Sequence, residues 1–478
     1  MLATFELESR MNFLPRVVAF VVLGSWLGQV MAPAGSAAEG AQAWQAGAAA
    51  QVITPEEPMW MAGYGSRSAP SSGKLSELYA KALVLQDADG NRGIVLTLDL
   101  VGIDRELSRR IAQAIGERLK VPTDNILIST SHTHSGPVVG KNLGALHYYQ
   151  LNAHFQKQID LYAEQLFKNC VDVAVVANEK LAACKVSWGT GSVDFATNRR
   201  NNKEPDVPQL RASKKLAGPS DYDVPVLAVR DVDGALVAVL FGYACHSTVL
   251  SGNVWSGDYP GYAQAALQEH HPGCTALFFA GCGADQNPLP RRTAELAKHY
   301  GQRLAAAVDQ VLLTTQMKAA EPKLECRYGE VALPLGKLPT TDELKQQQSS
   351  SNKSEATRAA LLLDQIARGE PLSSTYPYPV SLWRIGGELT LVALGGEVVV
   401  DYALRIKADL GTPTWVAGYA HDVMAYIPSR RVLTEGGYEG GGAMVYYGLP
   451  CPWAPEVEEV LMGQVMKLVV SHEKGVSR

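Results

Sequence analysis

No Cys-x-x-Cys pair occurs anywhere in the 478 residues, which argues against a zinc site built from thiolates. Cysteine is scarce as well as scattered: Cys170, Cys184, Cys245, Cys274, Cys282, Cys326 and Cys451 make an odd number, so at least one stays unpaired within the chain even in an oxidising compartment. No run of Lys or Arg exceeds two residues and the formal net charge is only -5, so neither nucleic acid nor an anionic membrane surface is an expected partner. Gly-x-Ser-x-Gly is missing too, leaving a serine-hydrolase elbow without support. There is no internal repeat. What remains, 46% hydrophobic and 19% charged, is enough for a full core and points to a small-molecule partner.

The chain opens with Arg10 and Arg16 ahead of the apolar run Val17 to Leu27, followed by small residues through Ala37 and Ala38. That pattern predicts an export signal over residues 1–38, and the run is about half the roughly 20 residues a spanning helix needs. The expected product is periplasmic or secreted, with no transmembrane helix after cleavage and residues 39–478 as a single domain.

Apolar alternation predicts strands over 80–86 and 93–99, with a turn at Asp87 to Asn91, and a hairpin over 224–244 turning at Asp231 to Gly234. Helices are expected from about Glu106 to Leu119 and from Gly257 to about His271. A longer one runs from His154 to Asn178, its core stripe being Ile159, Tyr162, Leu166, Cys170, Val173 and Val176. The polar segment 197–220 reads as an exposed loop, and the Gln/Ser/Asn-rich stretch 346–357 as a solvated helix end and surface loop. Strands alternating with helices and hairpins give an α/β or α+β fold: a mixed β-sheet core covered by helices, with its site at the sheet edge among loops.

The densest chemistry is Ser131-His132-Thr133-His134-Ser135-Gly136-Pro137, after the strand-forming run that ends at Ile128. In an extended segment, side chains two apart share a face roughly 6.5 to 7 Å apart, so both imidazoles can reach one ion. Two further apolar runs lead to His246 and, through Gly395-Gly396, to Glu397. Three histidines and a glutamate fit zinc or a similar first-row metal with a position open for water. Taken singly, His246 also fits a buried hydrogen-bonded histidine, and Glu397 a carboxylate at a helix N-terminus. Gly281 to Pro288 could present backbone N–H groups to a substrate oxygen, and Gly436 to Gly442 would bring the backbone close to a ligand and expose Tyr438. Asp99, Asp258 and Asp285 are candidates for a general base, or for orienting a ligand histidine.

In that order, the His132–Pro137 motif, the His246 segment, Gly395-Gly396-Glu397 and Tyr438-Glu439-Gly440 resemble the neutral (alkaline, non-lysosomal) ceramidases over roughly residues 44 to 450. The resemblance implies Zn2+ held by His132, His134, His246, Glu397 and Tyr438, hydrolysis of the amide of a lipid-like N-acyl substrate by metal-activated water, and Arg199 near the substrate. Tyr438, Asp285 and Asn287 would then stand at the catalytic centre. Asn287 falls where the family's Gly-Asp-Val-Ser-Pro-Asn motif has a serine, so a serine nucleophile there is excluded. The chain ends about thirty residues after Tyr447, which leaves no room for the family's C-terminal immunoglobulin-like domain. A metal-dependent esterase, and a noncatalytic exported binding protein, are the alternatives.

Overall fold

Strands whose every residue is apolar need cover on both faces, and this chain provides it by stacking one sheet on another and placing helices outside each. The computed structural model describes residues 43–314, 317–411 and 413–473; the expected export signal lies outside them. The first sheet is built from β1 (Trp44–Val52), β2 (Tyr79–Gln86), β3 (Arg92–Leu98), β4 (Ile126–Thr130), β5 (Ala182–Ser192), β6 (Asp223–Asp231), β7 (Leu236–Tyr243) and β8 (Thr275–Ala280). Their order is β8-β7-β6-β5-β1-β2-β3-β4, and Lys318–Ala319 adds a ninth strand beside β5. The outer pairs β7/β8 and β3/β4 are parallel and the neighbours between them antiparallel, so the sheet is mixed as expected. A second sheet follows in chain order: β9 (Leu324–Pro334), β10 (Thr375–Ile385), β11 (Leu389–Leu394) and β12 (Thr414–Ala417).

Alternate residues of one strand serve different layers. In β2, Ala82 and Val84 face α1 (Arg105–Leu119) and α2 (Ala153–Glu179), while Leu83 and Leu85 join Trp383, Leu391 and Trp415 between the sheets. On the other half, α3 (Asp258–His270) and α4 (Ala294–Leu313) cover β6 to β8; α5 (Val400–Leu410) and α6 (Val457–Glu473) cover the second sheet. Trp383 is 1% exposed, and a side chain at Gly93 would come within 3.0 Å of its indole, so the sheets approach closely only because position 93 carries none. Asp87 ties the β2–β3 turn to the second sheet: its carboxylate accepts from the N–H of Asp89, Asn91 and Leu324. The Lys81 ammonium donates to the Ala276 carbonyl at 2.8 Å and to Gln264 and Gln268, so β2 is within reach of the edge strand β8 and the first sheet curls on itself.

Three expectations need correction. Val176 is 41% exposed: a stripe drawn at about 3.5 residues per turn drifts off the buried face of a helix of this length, and the core continues through Ala174 and Ala177. Within 346–357, Thr341–Gln348 is a helix with a capping box at Thr340, and Asn352 caps a second helix, Lys353–Ala367, so this stretch forms a helical hairpin. Segment 197–220 is not a free loop. Ala196–Asn198 is a buried strand paired with Gln286–Pro288, and Asn198 and Asn202 are buried by hydrogen-bonding neighbouring carbonyl and carboxylate oxygens instead of water. All seven cysteines are free thiols. No described helix is long and apolar enough to cross a membrane.

Candidate metal centre and cleft

Both sheets feed the site. From β4 the chain runs into His132 and His134, from β7 into His246, and from β11 through Gly395-Gly396 into Glu397. The segment after β12 crosses back to the first sheet, where Ala420 bridges Ser129 and the Tyr419 carbonyl accepts from Thr130 N–H. Ser247 laces the histidine loops together, its hydroxyl donating to the Ser131 carbonyl at 2.6 Å and its carbonyl accepting from His134 N–H at 3.2 Å.

The ring nitrogens converge. His132 Nε2 lies 3.1 Å from His134 Nε2 and 3.1 Å from Glu397 Oε2, which is also 3.1 Å from His246 Nε2. Ligand atoms about 2.0–2.1 Å from a tetrahedral first-row ion stand about 3.3 Å apart, close to these separations. Glu397 Oε2 is buried and receives no hydrogen bond, as suits an oxygen kept for a cation. Donor set and spacing therefore fit a metal held by His132, His134, His246 and Glu397. The histidines do not meet by strand alternation, as expected from sequence. His132 has φ 58°, a left-handed conformation rare outside glycine, and that reversal brings the two rings together.

Main-chain carbonyls orient two of the rings. His132 Nδ1 contacts the Val101 oxygen at 2.5 Å and His246 Nδ1 the Gly283 oxygen at 2.8 Å, which aims each Nε2 lone pair at the cluster. The three aspartates are not these partners. Asp99 accepts from Tyr79 N–H; Asp258 accepts from the N–H groups of Val249, Leu250 and Tyr259; Asp285 accepts from Val400 N–H and the Asn198 amide. They fix the backbone around the site. Burial raises the Asp258 and Asp285 pKa values to about 6 against these hydrogen bonds. Burial, with Arg199 nearby, lowers His246 to about 4, and burial beside the other two imidazoles lowers His134 well below its ordinary value. Burial alone would raise the Glu397 pKa, but His132 and His246 hold it well below the usual carboxylate range. Neutral imidazoles facing an ionised carboxylate are the protonation states a metal site needs.

His134 is placed differently. Its Nδ1 has no partner, and its ring rests on the backbone of Gly63, whose amide donates to His147 Nε2 at 3.2 Å. A Cβ at Gly63 would sit 2.5 Å from that ring, and φ there is 94°. Gly63→Ala is expected to displace His134 and lower metal affinity about 10- to 100-fold, the range for losing a group that orients a ligand. Metal titration of the purified variant checks it; unchanged affinity would show that His134 is dispensable for binding.

Tyrosines line the centre, though not as expected. Tyr438 is 48% exposed, edge-on to Tyr426 at 5.2 Å and beneath the Arg199 guanidinium at 5.6 Å. The phenols in contact with the cluster are Tyr447, which donates to Glu397 Oε1, and Tyr426, 3.3 Å from His246 Nε2; Tyr419 packs on His132 at 4.3 Å. Sequence reasoning missed all three. Tyr419 alone left a trace, lying just past an apolar strand in a small-residue turn.

His134 and His246 open onto a cleft of about 610 Å³ lined also by Tyr64, Arg199, Asn287 and Tyr438. Arg199 contacts Glu439 (2.7 Å), Tyr426 (3.2 Å) and Asn287 Oδ1 (3.3 Å); burial would lower its pKa, but Tyr426 and Glu439 raise it well above the ordinary value. Since Asn287 gives its oxygen to Arg199, its Nδ2 hydrogens remain for the cleft. The N–H groups of Gly281, Gly283, Ala284 and Gln286 all donate to main-chain carbonyls, so this turn does not offer them to substrate. The glycines after Gly436 serve a tight turn: a Cβ at Gly440 would sit 2.6 Å from the Val432 carbonyl.

Fold and site thus define a class: a layered α/β protein with a histidine–carboxylate centre at the floor of a polar cleft. The family described as neutral/alkaline non-lysosomal ceramidase, N-terminal, matches residues 44–281. Neutral ceramidase A of Dictyostelium discoideum is 26% identical over 45% of this chain and 30% of its own length. The neutral ceramidases of Pseudomonas aeruginosa (25% identical, 42% of this chain) and Mycobacterium tuberculosis (27%, 42%) are matched over 30% and 32% of theirs, so the chain spans about a third of the length of these curated relatives. The crystal structure of neutral ceramidase from Pseudomonas aeruginosa superposes with a TM-score of 0.67 over 87% of this chain and 72% of that one, at 19% identity, and shares the fold. The chain belongs to the neutral/alkaline ceramidase family. The matched segment holds His132, His134, Arg199 and His246; Asn287, Glu397 and Tyr438 lie beyond it.

Proposed function

We propose that this protein is an exported, zinc-dependent hydrolase that cleaves the amide bond of an N-acyl substrate, ceramide or a related compound, with residues 39–478 acting as one catalytic domain. The observation that carries the reading is the convergence of three histidine Nε2 atoms and one undonated glutamate oxygen at the floor of a cleft. When bound, the metal lowers the pKa of water toward about 7 and polarises the scissile carbonyl. The chain's own residues do the rest. Carbonyls of Val101 and Gly283 fix the ring nitrogens of His132 and His246, and the Tyr447 hydroxyl occupies Glu397 Oε1 so that Oε2 faces the rings.

Arg199, the Asn287 amide and the Tyr438 hydroxyl supply donors on the cleft wall for charge developing on the carbonyl oxygen. Asn287 has no nucleophilic atom, so water attacks directly and no acyl group passes through that position. In this reading Tyr438 completes the metal site when substrate is bound, Arg199 holds the substrate, and Asp285 positions Asn287 and Arg199, since its carbonyl accepts from Arg199 N–H at 2.8 Å. The test joins metal analysis to hydrolysis of N-acyl-sphingosine and simpler N-acyl amides. Chelation should abolish cleavage and zinc restore it; undiminished activity in metal-free protein would falsify the mechanism.

A further inference from the structure

Resting on the amidohydrolase reading, we infer that the cleft selects a short-chain N-acyl substrate whose amine portion carries an anionic group, such as an N-acyl amino acid, and that Lys203 receives that charge.

The walls decide this in two ways. Leu289 is the only aliphatic side chain that lines the cleft; the remainder are charged residues, amides, phenols, imidazoles, a threonine and glycines. A long alkyl chain laid on such walls would strip water from ion pairs without gaining apolar contact. The charge is also uneven. Four cations, Arg199, Arg200, Lys203 and Arg291, face three carboxylates, Glu204, Glu435 and Glu439.

Those carboxylates are already shared. Glu439 pairs with both Arg199 and Arg200 at 2.7 Å, Glu204 with Arg291 and Arg292, and Glu435 with Arg200 and Arg431. Lys203 is exposed and has no carboxylate partner among the described residues. A cleft with surplus positive charge concentrates anions, and an unpaired ammonium at its wall is the place where a carboxylate gains most.

Calorimetric titration of the zinc-loaded full chain with N-butyryl-glycine and with neutral N-butyryl-ethanolamine tests the inference. The anion should bind about tenfold more tightly at low salt, with the difference shrinking as ionic strength rises. Lys203→Glu should erase the preference. Equal or tighter binding of the neutral amide overturns the inference, as does a preference that Lys203→Glu leaves intact, which would place the carboxylate on the metal alone. Turnover separates this from the reading beneath it: preferential binding without cleavage of any amide defeats the hydrolase and keeps the recognition. Equal binding with brisk cleavage of both does the reverse.

Discussion

His132→Ala strips the metal and lowers amide hydrolysis by about 10³-fold or more, a loss of several kcal/mol at a tenfold per 1.36 kcal/mol. The expectation rests on its place at the middle of the cluster, with Nε2 at 3.1 Å from both His134 and Glu397. His134 and His246 have no comparable bridging position, since their ring centroids are 5.8 Å apart and each is 4.8 Å from that of His132. Removing the central imidazole leaves the buried Glu397 facing only His246, and an uncompensated buried charge repels its neighbours into new arrangements. Metal content by plasma emission and steady-state kinetics on one N-acyl amide decide it. Full metal occupancy in the variant would show that the ion rests on the other residues.

Trp383→Ala is the second large effect, on stability. The indole is 1% exposed in the apolar layer between the sheets, and its Nε1 donates to no acceptor, so truncation removes packing without breaking a hydrogen bond. Loss of a buried tryptophan there should cost about 3–5 kcal/mol, read as a lower denaturation midpoint with an unchanged slope. A cost below about 1 kcal/mol would mean that Leu324 and its neighbours collapse into the space, a degree of relaxation that large-to-small core substitutions rarely reach.

Periodicity carried much of the fold. The hairpins over 79–98 and 223–243, the helices α1 to α3 and the mixed character of the sheet all follow from local patterns. What failed was polar composition taken as a sign of solvent. The stretch 197–220 satisfies its amides internally, Asn202 donating to the Asn198 and Ala217 carbonyls, and a linear pattern cannot distinguish a protein acceptor from water. At the site, His132, His134 and His246 stood out because histidine is scarce and their approach segments are apolar. Tyr426 and Tyr447 were hidden among nineteen tyrosines, and the carbonyls of Val101 and Gly283 leave no mark in side-chain chemistry at all. Gly63 belongs with them, since its need for a missing side chain arises only from a ring that is distant in sequence.

Because the histidines arrive from one sheet and Glu397 from the other, the cluster straddles the seam between layers. Alignment of the two sheets and alignment of the ligands are then a single mechanical variable, with no hinge between them. Slippage by a few tenths of an ångström at the seam, even from a substitution as remote as Trp383→Ala, would change the separation of the carboxylate from the imidazoles. The protein's grip on its ion therefore serves as a gauge of how well its two halves are locked together.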